Sequence, residues 1–101
     1  MVRTIKLSKH AAKKLDKLLE YLENEWSLKV KKEFIDRLDK SLKLIQENPD
    51  LFPESILKKG LHKCVLTKQT TIYYRIDKKS INIVTLFDNR QDPKKLEKET
   101  D

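Results

Sequence analysis

Two apolar stripes of helical period follow one another with one capping residue between them. Ala11, Leu15, Leu18, Leu19, Leu22 and Trp26 recur at steps of three and four, which places them along one side of a helix. After Ser27 the pattern resumes with Leu28, Phe34, Ile35, Leu38, Leu42 and Ile45. Ser8 and Ser27 each offer an N-cap hydroxyl. Asn48-Pro49 closes the second helix, because the residue before a proline avoids the α region. So short a connection cannot run the helices on in line. They must fold back as an antiparallel hairpin and bury both stripes on a second layer. The outer face of the second helix carries Glu33–Arg37, Asp36–Lys40 and Asp39–Lys43. Each acid stands four residues before a base, an arrangement worth about 0.3–0.5 kcal/mol per pair, and reads as a solvated surface.

The second layer is a sheet. Val2–Leu7 alternates as a short strand, and Leu61–Lys68, Thr70–Ile76 and Ser80–Phe87 are β-rich runs. Gln69 and Asp77–Lys79 are connections of hairpin length, so the three runs form an antiparallel meander. The segment from Pro49 to Gly60 reads as a loop stiffened by Pro49 and Pro53, with Phe52 and Ile56 pinning it to the core edge. Pro93–Lys98 is a short helix with one apolar anchor, Leu96. The order β-α-α-β-β-β-α gives a small α+β domain spanning residues 1–101. The first strand joins the meander in one twisted sheet, and the hairpin lies on one face. Alternation in the middle strand sends Ile72, Tyr74 and Ile76 under the helices and Thr71, Tyr73 and Arg75 to the other face, which is expected to be open.

That open face should be basic. The net charge is +7, and Lys58–Lys79 holds seven cations against Asp77 alone, so nearly all of the excess sits in one segment. Such a concentration favours an anionic partner, either nucleic acid or an acidic protein. The single cysteine, Cys64, can close neither an internal disulfide nor a zinc site and reads as a small buried hydrophobe in a reducing, cytoplasmic setting. No apolar run approaches a bilayer span, and the N-terminus lacks the apolar core of a secretory signal. No cofactor, metal or membrane partner is expected.

The order of elements, the run Ile72-Tyr73-Tyr74-Arg75-Ile76-Asp77, the following Ile81-Asn82-Ile83-Val84 and the closing Asn89-Arg90-Gln91-Asp92-Pro93 resemble the RelE/ParE superfamily of bacterial toxins. The resemblance covers nearly the whole chain and is specific in its second half. It implies a type II toxin–antitoxin system of the plasmid-stabilization kind, in which the toxin inhibits growth until a cognate acidic antitoxin neutralises it. It also implies one of two targets: DNA gyrase, inhibited by binding in ParE-like members, or the ribosome, where RelE-like members cut mRNA.

A metal-free ribonuclease needs a base, phosphate-binding cations and an acid on one face. By resemblance, Arg90 matches the arginine after the last strand, and Lys63 or His62 stands where first-strand cations stand. Thr71 occupies the place of the second-strand cation, and Leu96 roughly that of a C-terminal tyrosine, so two expected groups are missing. A variant set remains: His62 as general base with Arg75 and Arg90 as phosphate clamps. The bland alternatives are an exposed strand histidine for His62, an ion pair with Asp77 or Asp88 for Arg75, and a capping role beside Asp92 for Arg90. Lys58, Lys59, Lys63, Lys68, Tyr73, Arg75 and Arg90 are the candidates for binding a target or an antitoxin. The missing nuclease groups favour the ParE-like reading. The RelE-like nuclease and an inactivated antitoxin-binding module are the alternatives.

Overall fold

The computed structural model describes residues 2–100. β1 (Thr4–Leu7) leads directly into α1 (Lys9–Glu25), and α2 (Leu28–Glu47) follows after a two-residue turn. Ser8 Oγ accepts from the Ala11 amide at 3.0 Å, and Ser27 Oγ accepts from the Val30 amide at 3.1 Å. Each cap satisfies an orphan amide at a helix start, an effect of about 1 kcal/mol. A 3-10 turn, Pro49–Leu51, ends the hairpin. The stripes overrun their support, however. Trp26 is 67% exposed and Leu28 is also exposed, so both lie outside the buried core at the hairpin turn.

The remaining strands are β2 (His62–Val65), β3 (Thr70–Ile76) and β4 (Ser80–Asp88). The sheet order is β1-β4-β3-β2. The meander is antiparallel throughout, and β1 joins β4 in parallel, with Thr4 opposite Ser80 and Leu7 opposite Ile83. A parallel pair needs a long crossover, which the hairpin and the two preceding strands supply. In β4, Thr85 faces Tyr73 while Ile83 faces Tyr74, leaving Val84 as the extra residue of a bulge. The bulge shifts the alternation by one. Ile81, Ile83 and Leu86 therefore all reach the hairpin side, where they pack with Ile72, Tyr74, Ala11, Phe34, Leu38 and Ile45.

The opposite face is not open along β3 and β4. Leu61, Tyr73, Phe87 and Leu96 form a second core there, with Val84 packed against it. Tyr73 and Phe87 meet edge to face at 6.4 Å between ring centroids. The roof is α3 (Pro93–Glu99), capped by Asp92, whose carboxylate accepts from the Lys94 amide at 3.0 Å. Tyr73 and Thr71 are thus buried rather than projecting. The physical reason lies in β4. β1 stops opposite Ile83, so Val84–Asp88 has β3 on one side and no strand on the other, and an exposed edge there would be an open template for pairing. Ser8 Oγ donates to the Val84 carbonyl at 2.8 Å, and the start of α1 and the end of α3 close the rest. Glu99 is the fastening: it accepts from Lys14 Nζ at 2.6 Å, from His10 Nε2 at 2.6 Å and from Thr85 Oγ1 at 3.1 Å.

Candidate functional site

The four nuclease candidates, His62, Lys63, Arg75 and Arg90, are distributed over different parts of the sheet. His62 pairs with Tyr74, so its side chain lies on the hairpin side. Its ring stacks on Tyr74 at 5.3 Å, and Nδ1 sits 2.8 Å from the Phe52 carbonyl. A carbonyl only accepts, so Nδ1 carries the proton and the imidazole serves as a bracket for the 49–53 turn. Tyr74, fully buried, completes that bracket by donating from its hydroxyl to the Pro49 carbonyl at 2.8 Å. Burial raises its phenol well above the ordinary tyrosine range, so it stays protonated. Lys63 and Arg75 belong to the opposite face, Lys63 exposed and Arg75 half-buried. Arg75 Nη1 lies 3.5 Å from the Lys59 carbonyl.

Arg90 stands apart from both. Its Nε and Nη2 donate to Asp88 Oδ1 at 3.0 Å and Oδ2 at 2.8 Å, a two-pronged pair that holds the Asp88 carboxyl below its usual range. Asp88 lies opposite Thr70, in register with the hairpin-facing side of the sheet. Arg90 therefore lines the hairpin side of the sheet's end, not the reverse face expected from the sequence, and its partner is Asp88 rather than Asp92. Thr71 is buried with its hydroxyl on Asn89 Oδ1 at 2.9 Å, so that position contributes structure to the β3–β4 end.

Two surfaces remain as candidates. The first is a groove of about 740 Å³ between the helical hairpin and the end of the sheet. Tyr21, Trp26, Val30 and Phe34 supply an apolar wall, and Lys14, Lys17, Arg37 and Arg90 contribute cations against Glu33 and Asp88. The sequence pattern puts Arg37 on a solvated face and Trp26 on the buried stripe of the first helix. The available signal was that Trp26 and Leu28 continue the stripes after the hairpin has already turned. The second is the reverse face, where Lys59, Lys63 and Arg75 flank the second core. Lys58 lies at its margin, with Nζ 3.4 Å from the Glu97 carbonyl. Lys68 sits in the β2–β3 turn at the other end of the sheet, where its carbonyl accepts from Asn89 Nδ2 at 3.4 Å. Cys64 is buried and its thiol is pushed up by desolvation, partly offset by a hydrogen bond to Ser41, so it stays a neutral packing group.

Among the described residues no cluster of three or more His, Cys, Asp or Glu side chains is placed to hold a metal ion. None of the described helices is long and apolar enough to cross a membrane.

The family model described as "ParE toxin of type II toxin-antitoxin system, parDE" matches residues 5–93. No curated protein matches the sequence. Among solved structures, the chromosomal ParDE toxin–antitoxin system from P. aeruginosa is similar at a TM-score of 0.72 and 15% identity, covering 86% of this chain and 96% of that one. The E. coli DinJ–YafQ toxin–antitoxin complex contains a chain similar at 0.65 and 12% identity, with coverages of 89% and 96%. The YoeB dimer from Staphylococcus aureus is similar at 0.60 and 18% identity, with coverages of 84% and 94%. At these identities the structural likeness concerns the fold.

Proposed function

Because the chain belongs to the ParE toxin family of type II toxin–antitoxin systems, we propose that it arrests bacterial growth by binding DNA gyrase and that an acidic antitoxin silences it. The observation that carries the gyrase reading is the dispersal of the nuclease candidates. His62 braces a turn on the hairpin side, Arg75 lies on the reverse face, and Arg90 is held by Asp88 at the sheet's end. General acid–base cleavage of RNA needs such groups around one phosphate, within hydrogen-bond reach of the reacting oxygens. Inhibition by binding needs only a complementary surface.

The hairpin groove suits the antitoxin. An amphipathic helix lays apolar residues at helical spacing into such a trough. Acidic residues along its flanks would meet Lys17, Arg37 and Arg90, which increases association rate and partner selectivity.

The deciding experiment adds purified protein to a gyrase supercoiling assay and, separately, to a translating extract with primer extension on the mRNA. Loss of supercoiling with intact mRNA is the expected result. Codon-phased mRNA cuts with normal supercoiling would replace this reading with the RelE-like one, which the reverse-face cations Lys59, Lys63 and Arg75 favour through phosphate contacts. Folded protein that affects neither process and arrests no cells would mark an inactivated antitoxin-binding module.

A further inference from the structure

Ile56 was expected to pin the 49–60 loop to the core. It is instead 99% exposed, with Leu57 exposed beside it, and the loop that presents them is firmly built. Its base is a two-stranded ribbon: Glu54 bridges to His62, the Lys63 amide donates to the Pro53 carbonyl at 3.0 Å, and the Ser55 amide donates to the Leu61 carbonyl at 2.6 Å. Its tip is closed by the Leu61 amide on the Lys58 carbonyl at 3.3 Å and by the Leu57 amide on Ser55 Oγ at 3.2 Å. Ser55 and Leu61 are buried, so the ribbon is anchored immediately below the tip.

We propose that this ribbon is a preformed docking knob whose Ile56-Leu57 tip enters an apolar socket with an acidic lip on the protein that the toxin attacks. A tip already held in one conformation loses little entropy on binding. An apolar anchor inside a charged rim is the usual anatomy of a protein–protein contact. The acidic lip follows from the charge beside the tip, where Lys63, paired with Tyr73, and Lys59, whose carbonyl meets Arg75, lie on the reverse-face side. A nucleic-acid wedge fits less well, because Glu54, bridged to His62, and Asp50, close enough to act on Tyr74, lie on the hairpin side and would repel phosphates. A second copy of this chain is disfavoured too. Its own apolar groove carries Lys14, Lys17, Arg37 and Arg90 against Glu33 and Asp88, a net positive lining that would face the knob's lysines.

The inference rests on the growth-arrest reading but not on gyrase being the target. The test compares the wild-type chain with Ile56→Asp and Ile56→Leu, induced in a heterologous bacterium at matched abundance and assayed on purified gyrase. Thermal unfolding of the purified variants serves as the folding control. Because Ile56 buries almost nothing, all three should unfold at the same temperature. The expected result is arrest by the wild type and by Ile56→Leu, relief by Ile56→Asp, and at least about a tenfold higher concentration of Ile56→Asp for equal gyrase inhibition. Arrest relieved by Ile56→Asp while even the wild type leaves gyrase untouched would keep the knob and discard gyrase. Unchanged arrest by folded Ile56→Asp, or no arrest by the wild type, would overturn the knob. So would binding of linear duplex DNA by the wild type that Ile56→Asp abolishes, since it would reassign the tip to nucleic acid.

Discussion

Gly60 is the only glycine in the chain, and its position has a backbone reason. Its φ is +80°, and it is the third residue of the Lys58–Leu61 turn, a place where a side chain forces a left-handed strain. A Cβ at this position would meet Arg75 Nη1 at 3.5 Å, an ordinary contact, so the cost of a substitution is conformational. Gly60→Ala should lower stability by about 1–2 kcal/mol, read as a lower urea midpoint with an unchanged slope. Tyr74 makes the complementary case in the core. Tyr74→Phe keeps the ring under the hairpin but leaves the Pro49 carbonyl without its donor, and should cost about 1–2 kcal/mol by the same measurement. Both serine caps could be read directly from the sequence, because capping depends on neighbours within one helical turn. The role of His62 could not. Which way it faces depends on the pairing of β2 with β3, a contact between residues distant in the chain.

At the level of elements, the helical hairpin, the meander and the order of parts follow from periodicity. The covering of the reverse face does not. α3 offers one apolar anchor, Leu96, and a single anchor has no period to detect. A signal did exist in β4, where Val84, Leu86 and Phe87 interrupt strict alternation and mark a strand buried on both faces. How firmly α3 stays down depends on Glu99. Burial alone would raise its carboxyl, but hydrogen bonds from Lys14 and His10 outweigh that and bring it below the ordinary glutamate range. The native form therefore binds a proton less readily than the unfolded chain. The stability Glu99 contributes is complete above the unfolded glutamate value and is lost as pH falls through the lower native one. Glu99→Gln should speed amide exchange across residues 95–100 and remove that part of the acid-side decline. At neutral pH the loss should be about 1–2 kcal/mol, the scale of hydrogen bonds to a charged group, visible in paired denaturation curves at several pH values.

For the whole molecule, two surfaces stand apart from each other. The ribbon tip and its lysines lie along β2, whereas the groove lies between the hairpin and the other end of β3 and β4. If the antitoxin occupies the groove, neutralisation and attack use different residues and can be separated by mutation. Arg37→Glu with Trp26→Ala is the appropriate pair. Trp26 is mostly exposed and Arg37 is exposed at the groove rim, so folding should be affected by little more than about 0.5 kcal/mol. The double variant should still arrest growth when expressed alone, yet resist rescue by a co-expressed acidic antitoxin encoded beside it. Charge reversal at a groove rim acts mainly on encounter, so the wild-type association rate should fall steeply with salt and the variant's much less. Rescue of the double variant as efficient as that of the wild type, at matched abundance and with matching salt dependence, would place the antitoxin elsewhere. The reverse face with Lys59, Lys63 and Arg75 would then be the surface to probe by the same charge-reversal series.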